Sequence, residues 1–139
     1  MEVLEKSNVD NKTHTSGKCH GQILSEIAHE LRRYLEAYPQ AILIREAALV
    51  TAVLGTVKTV AILHKVVGLS DLYAWGFGNR EFCEILPASV KAIVALANDA
   101  SKEEVAKALE QYVGKQDYAC DDESDAVAVG VAWLIQNHY

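Results

Sequence analysis

Several residue types are scarce in this sequence. Its 139 residues include two prolines, three cysteines and one methionine, and aromatic residues make up 7% of the chain. Collagen-like and low-complexity classes are therefore excluded. No apolar run approaches the roughly 18 residues that cross a bilayer, and the first residues lack the basic and apolar pattern of a signal peptide. We expect one soluble, cytosolic domain spanning residues 1–139, with no membrane partner.

The few cysteines also exclude two kinds of cross-link. Cys19, Cys83 and Cys120 are an odd number, and no two of them have C-x-x-C spacing. Neither a disulfide framework nor a zinc ribbon is indicated. We expect all three to be reduced thiols.

Positive charge is in short supply. Thirteen Lys and Arg residues face 19 Asp and Glu residues, for a net charge of −6, and five of the acids lie within nine residues: Asp117, Asp121, Asp122, Glu123 and Asp125. A nucleic-acid partner would therefore need a local basic patch or bound metal ions rather than a broad basic surface. Crowded acids cost stability unless a cation, a helix N-terminus or protonation relieves them.

Hydrophobic spacing indicates alternating helices and strands. Apolar residues at helical spacing predict a helix over 20–38, and Ala41-Ile42-Leu43-Ile44 predicts a strand buried on both faces. Ser101 and Glu104 have the spacing of a capping box, which predicts a helix over 101–113. The remaining predictions are a weak hairpin in the first 18 residues, a helix over 50–67 closed by Gly68, a loop over 69–80, a strand over 82–86, a short helix over 87–96 and a helix from 121. This order favours an α/β fold with one central sheet.

Three acids stand where folding can bring them together. Asp122 and Asp125 are three residues apart at a helix start, so they share one face, and Glu46 follows the predicted strand at the edge where α/β folds bind ligands. Carboxylate oxygens are the ligands that Mg²⁺ and Mn²⁺ prefer. Two simpler interpretations stay open. The two aspartates can cap the helix, and Glu46 can mark the strand's exit into solvent.

The predicted loop over 69–80 combines aromatic and basic residues. It contains Tyr73, Trp75, Phe77 and Arg80. Aromatic side chains of this kind can stack on bases, and arginine adds positive charge. A hydrophobic lid and a dimer contact are the alternatives.

The C-terminal half contains three segments in a recognisable order. They are Ile85-Leu86-Pro87-Ala88-Ser89-Val90-Lys91, Ala100-Ser101-Lys102-Glu103-Glu104-Val105 and Asp122-Glu123-Ser124-Asp125-Ala126-Val127-Ala128-Val129. This series resembles the motifs of RuvC-type Holliday-junction resolvases in the RNase H-like superfamily. With the strand that leads to Glu46, the resemblance covers residues from about 41 to the C-terminus.

The resemblance implies a fold and an activity. The fold would be RNase H-like, a central mixed sheet flanked by helices, and the activity would be metal-dependent cleavage of branched or structured DNA by a homodimer. Glu46, Asp122 and Asp125 would match the metal-binding carboxylates for Mg²⁺ or Mn²⁺. Lys91 and Lys102 would match basic residues that contact the DNA backbone near the scissile phosphate. Apart from the resemblance, the composition of the loop over 69–80 makes Trp75 and Arg80 candidate DNA contacts.

One feature of the family has no counterpart in this sequence. The family begins with a strand that bears a catalytic Asp in a D-x-G-like turn, whereas the acids before residue 20 are Glu2, Glu5 and Asp10. Three explanations stay open: the sequence begins after that strand, another acid substitutes, or the protein is a degenerate relative. In the last case it would be a non-catalytic nucleic-acid-binding or assembly module with the same fold. An unrelated α/β interaction protein is a third function class.

Overall fold

The computed structural model describes residues 1–9, 17–48 and 57–139. Their secondary structure, in chain order, is α1 (His20–Ala37), β1 (Leu43–Glu46), α2 (Val57–Gly76), β2 (Phe82–Ile85), α3 (Pro87–Val94), α4 (Lys102–Val113) and α5 (Asp121–Gln136). The predicted α/β class is confirmed, because β1 and β2 pair in a small parallel sheet accompanied by helices. Among the helices of these residues, none is long and apolar enough to span a bilayer.

The chain divides into two compact units. The first, here the C-terminal unit, comprises Met1–Asn8, Ile44–Ala47 and Cys83–Tyr139. The second, the helix-pair unit, comprises Val9–Leu43 and Ala48–Phe82. The sequence predicts one domain over 1–139, and the structure resolves that length into these two units.

The core of the C-terminal unit lies among its three helices. Val94 of α3, Leu109 of α4 and Ala132 of α5 are fully buried. Ile85 of β2 belongs to the same cluster, and Ile44 of β1 packs against it. Burying a leucine or valine side chain stabilises a fold by roughly 1.5–3 kcal/mol. This cluster therefore holds both strands against α3, α4 and α5.

Local sequence signals set the helix starts in this unit. Pro87 begins α3, where its missing N–H is no loss. The predicted capping box at α4 is confirmed: the Glu104 amide donates to Ser101 Oγ at 3.1 Å, and the Ser101 amide donates to Glu104 Oε2 at 2.7 Å. The Ala119 amide donates to Glu123 Oε2 at 2.9 Å at the start of α5.

The helix-pair unit is built from α1 and α2, which pack against each other. Ile23 and Leu35 of α1 and Ala74 of α2 are its buried residues. The Arg80 guanidinium donates to the carbonyl oxygens of Leu35, Tyr38 and Phe77 at 3.0, 3.0 and 3.1 Å. Leu35 and Tyr38 lie at the end of α1, so Arg80 satisfies carbonyl groups that this helix end leaves without partners in the helix.

The first strand lies later in the chain than predicted. β1 begins at Leu43 and includes Arg45 and Glu46, whereas Ile42 is 49% exposed. A contact with a distant residue explains the difference: Arg45 Nη2 pairs with Glu84 Oε1 of β2 at 2.7 Å, which draws a charged residue into the strand. Strand β2 itself confirms the prediction over 82–86.

The second helix is also displaced from its prediction. Residues 50–56 lie outside the described part of the chain, and α2 continues through Gly68 to Gly76. The sequence prediction of a loop over 69–80 was therefore wrong for most of its length, and Tyr73 and Trp75 lie on a helix. Glycine inside a helix costs about 1 kcal/mol. Burial of Ala74 in the continuing segment offsets that cost.

The described residues of the N-terminal segment do not form the predicted hairpin. Residues 1–9 contain no strand, and the second arm, around Thr13, lies outside the described residues. Val3 packs against the core of the C-terminal unit instead. The helices predicted over 20–38, over 101–113 and from 121 agree with α1, α4 and α5.

Candidate active site

Strand β1 places Glu46 at the end of the small sheet. Alternate residues of a strand share one face, so Glu46 lies on the same face as Ile44. Ile44 packs against the helical core of the C-terminal unit. Arg45 points the other way and pairs with Glu84. The strand thus directs the Glu46 carboxylate towards the side of the sheet that carries α3, α4 and α5.

The acid cluster lies at the start of α5, as predicted. Asp121, Asp122 and Glu123 are in its first turn. Glu123 supplies the backbone contact at this helix start, with Ala119. Asp125 makes a different contact, because its Oδ2 accepts from Lys102 Nζ at 3.2 Å. Helix capping therefore does not account for Asp125, whose partner lies 23 residues away in the sequence.

The electrostatics of Glu46 link the strand to the helices. Partial burial of its carboxyl group is the largest cause that raises the pKa of Glu46, and repulsion from Asp125 raises it further. Attraction by Lys102 and Lys91 opposes both causes. Glu46 keeps an exposed surface, so the shift reflects a partly hydrated group. Glu46 therefore interacts electrostatically with three of the other predicted catalytic residues, Asp125, Lys91 and Lys102.

Asp122 joins this group through Lys102. The hydrogen bond and charge of Asp125 are the main causes that raise the pKa of Lys102, and Asp121 and Asp122 raise it further. Lys102 is the first residue of α4, while Lys91 lies in the last turn of α3. Both lysines thus lie at helix ends that face the acids. Asp121 also raises the pKa of Lys102, although nothing in the sequence distinguishes it from the other acids of the charge cluster.

The donor chemistry of the acids fits a hard divalent cation. Burial and repulsion from Asp125 raise the pKa of Glu46, and carboxylate oxygens are the ligands that Mg²⁺ and Mn²⁺ take. Within residues 1–9, 17–48 and 57–139, however, no three His, Cys, Asp or Glu side chains are grouped as ready metal ligands. Lys102 is instead the cation in contact with Asp125. The acids therefore have the right chemistry in an arrangement that is not already a three-ligand site.

The two remaining predicted residues belong to the helix-pair unit. Trp75 lies near the end of α2 and is 58% exposed. Arg80 is committed to the three carbonyl oxygens described above, and its Nε is buried with no hydrogen-bond partner. These contacts give Arg80 a role in holding the fold, and its predicted contact with DNA stays a prediction. Trp75 has the exposure that stacking on a base requires, and its role stays a prediction.

Comparisons with known proteins identify the fold. No family model and no curated protein matches the sequence. The structure of T. thermophilus RuvC in complex with a Holliday junction substrate matches with a TM-score of 0.78 at 17% identity, over 94% of this chain and 76% of that one. A second structure of Thermus thermophilus RuvC matches with a TM-score of 0.75 at 17% identity, over 99% of this chain and 80% of the other. The chain therefore has a RuvC-like fold.

Proposed function

We propose that this chain is a RuvC-like endonuclease that cleaves branched DNA with Mg²⁺ or Mn²⁺. The observation that carries the proposal is the electrostatic coupling of Glu46 with Asp125, Lys102 and Lys91 in one unit of the fold. These acids and lysines are not needed to hold the core of the C-terminal unit, which is built from apolar side chains. The solved RuvC complex with a Holliday junction supports branched DNA as the substrate class.

Each residue of the site has a proposed task. Glu46, Asp125 and Asp122 would hold the cations, which supply Lewis-acid activation of water and stabilise the leaving oxygen when bound. Lys91 and Lys102 attract the phosphate backbone and bring the scissile phosphate to the carboxylates. Burial and repulsion from Asp125 raise the pKa of Glu46, and a bound cation would relieve that repulsion.

Cleavage assays test this proposal directly. The full chain is incubated with Mg²⁺ or Mn²⁺ and labelled four-way junction, flap and single-stranded DNA. Glu46→Gln, Asp122→Asn and Asp125→Asn are expected to lower the cleavage rate at least about a hundredfold, the scale at which single catalytic groups act. Glu103→Gln is the matched control, since it removes an exposed acid beside Lys102. Cleavage that survives all three site substitutions, or that needs no divalent ion, would refute the nuclease.

A second function is favoured by one specific contact. The Lys102–Asp125 ion pair places an ammonium group on the carboxylate that would otherwise bind a metal ion, which suits a module that binds DNA without cutting it. Junction binding without cleavage in Mg²⁺ and Mn²⁺, across all substrates, would select this alternative. Binding of neither DNA nor metal would leave only an interaction protein that has this fold.

The proposed function also suggests how the chain assembles and in which compartment it acts. A four-way junction has paired strands to be cut, so we propose that the active form is a homodimer. Light scattering with and without junction DNA measures this, and a single chain per junction would contradict it. We propose the cytosol as its compartment, as the composition predicts.

A further inference from the structure

The connection between α4 and α5 leads directly into the acids of the candidate active site. It runs from Gly114 to Cys120, and α5 begins at Asp121. Among the described residues, no backbone group of residues 115–119 bonds to another backbone group. Cys120, at the N-cap of α5, provides no side-chain hydrogen bond to the helix. The start of α5 therefore depends on other side chains for its position.

Two of the side-chain contacts along this connection are local. Gln116 Nε2 donates to the carbonyl oxygen of Val113 at 3.0 Å, and the Ala119 amide donates to Glu123 Oε2 at 2.9 Å. The partners in these pairs are three and four residues apart. Neither contact therefore links the connection to a distant part of the chain.

Lys6 supplies a contact from a distant part of the chain. Its Nζ donates to the carbonyl oxygen of Asp117, 111 residues later in the sequence. The same Nζ lies 4.7 Å from the centroid of the Tyr118 ring. An ammonium group over an aromatic face at this distance makes a cation–π contact. One charged group thus holds two consecutive residues of the connection.

The segment that carries Lys6 is anchored to the same unit as the acids. Met1–Asn8 belongs to the C-terminal unit, and Val3 packs against the core of that unit. Lys6 itself is half-buried. A side chain on an anchored backbone loses less conformational entropy when it makes its contacts than one on a free chain end. Lys6 therefore connects the core to the residues that lead into α5.

The acids that follow this connection act at the candidate active site. Asp121 and Asp122 raise the pKa of Lys102, and Asp125 accepts a hydrogen bond from it. Because these acids share one helix, a shift at the start of α5 moves their carboxylates together. Crowded acids also repel one another, so they do not fix the helix start by themselves.

We propose that Lys6 is a positioning residue that fixes the start of α5, and so sets the affinity of Glu46, Asp122 and Asp125 for a divalent cation. This inference rests on the proposed function for its ligand, a divalent cation, but not on cleavage. Lys6 contacts neither the cation nor DNA in this role. It acts through the Asp117 carbonyl group and the Tyr118 ring.

The test measures Mn²⁺ binding to the full chain without DNA by isothermal titration calorimetry. Lys6→Met removes both contacts and is expected to weaken Mn²⁺ binding roughly tenfold, the scale at which residues that support metal ligands act. A purely electrostatic role predicts the opposite sign, because loss of a positive charge near the acids strengthens cation binding. Lys6→Arg should keep the wild-type affinity, since a guanidinium group also donates to carbonyl oxygens and stacks on aromatic rings.

Tyr118→Leu is the second variant, which removes the ring and leaves the charge of Lys6 in place. It is expected to weaken Mn²⁺ binding about threefold, whereas a purely electrostatic role of Lys6 predicts no change. Combined with Lys6→Met, it should add less than its separate effect, because both substitutions remove the same contact. The matched control is Lys115→Met, which removes an exposed lysine of the same connection and should not weaken Mn²⁺ binding.

Three results would overturn the positioning role. They are unchanged or tighter Mn²⁺ binding by Lys6→Met, equal weakening by Lys115→Met, and failure of Lys6→Arg to keep the wild-type affinity. Circular dichroism shows whether each variant is folded at the temperature of the titration. If Lys6→Met does not fold, Tyr118→Leu decides, and an unchanged affinity of that variant overturns the role.

The two proposals fail separately in this design. Mn²⁺ binding that depends on Lys6, without cleavage of any DNA, supports the positioning role and refutes the nuclease. Cleavage that depends on Glu46, with a Mn²⁺ affinity independent of Lys6, refutes the positioning role and leaves the nuclease. Absence of Mn²⁺ binding by the wild type overturns the positioning role, and the cleavage assay then decides on the nuclease by itself.

Discussion

Leu96, in the turn between α3 and α4, has a φ of 56°, in the left-handed region that favours glycine. Replacing Leu96 by glycine measures the strain of this backbone conformation. A left-handed backbone costs a non-glycine residue about 1–2 kcal/mol, and glycine adds back about 0.5–1 kcal/mol of chain entropy lost on folding. Because Leu96 is 83% exposed, truncation to alanine forfeits only about 0.3 kcal/mol of the roughly 2 kcal/mol that full burial supplies. Leu96→Gly should therefore be about 0.7 kcal/mol more stable than Leu96→Ala and about 0.4 kcal/mol more stable than the wild type.

Urea and thermal unfolding followed by circular dichroism measure this difference. With an unfolding entropy of about 2.1 cal/mol/K per residue over 139 residues, 0.7 kcal/mol corresponds to roughly 2 °C in Tm. The matched control is Leu72→Gly, at an exposed leucine inside α2, where glycine should cost about 1 kcal/mol. Opposite signs at the two leucines are the expected result. A Leu96→Gly variant less stable than Leu96→Ala would refute the strain argument.

Three further substitutions test other parts of the C-terminal unit. Glu46→Gln should raise Tm at neutral pH, because burial and Asp125 raise the pKa of Glu46 and make its ionised form destabilising. The gain in Tm should vanish below the ordinary glutamate pKa of 4.5, where the carboxyl group is protonated in both the folded and the unfolded chain. A gain in Tm that is independent of pH would contradict this cause. Ser101→Ala should cost about 1 kcal/mol in urea unfolding, since it removes the acceptor of the Glu104 amide, and Ser101→Asp should restore most of it. Leu109→Ala should cost about 3 kcal/mol by the same measurement because Leu109 is fully buried, and a cost under 1 kcal/mol would contradict its place in the core.

Local signals account for the elements that the sequence predicts well. Ser101 with Glu104, and Pro87 at a helix start, act within one turn of backbone, so their effect is visible in a short stretch of sequence. The same holds for the acids at the start of α5. The elements that differ depend on distant partners. Arg45 extends β1 because it meets Glu84, 39 residues later, and no local pattern indicates that pair.

In the candidate site, too, the residue types are visible in the sequence while the contacts between distant residues are not. The acids and lysines are identified in the sequence by their types and their resemblance to a motif series. Their relation to one another is not, because the Lys102–Asp125 pair joins two helices and the coupling to Glu46 requires the strand to end beside them. The backbone of Leu96 is equally hidden, since leucine carries no signal for a positive φ.

The Lys102–Asp125 pair is the contact on which the choice between cleavage and simple binding depends. One carboxylate oxygen cannot fully serve both as the partner of an ammonium group and as the ligand of a divalent ion. The Lys102–Asp125 pair is exposed, so water and phosphate compete with Asp125 for the lysine. A DNA phosphate that draws Lys102 away leaves Asp125 and Glu46 as two like charges in partly buried surroundings, which is the condition that favours a cation. If Lys102 instead stays on Asp125 when DNA is bound, the acids remain neutralised from within the chain. The same residues then hold DNA without cutting it.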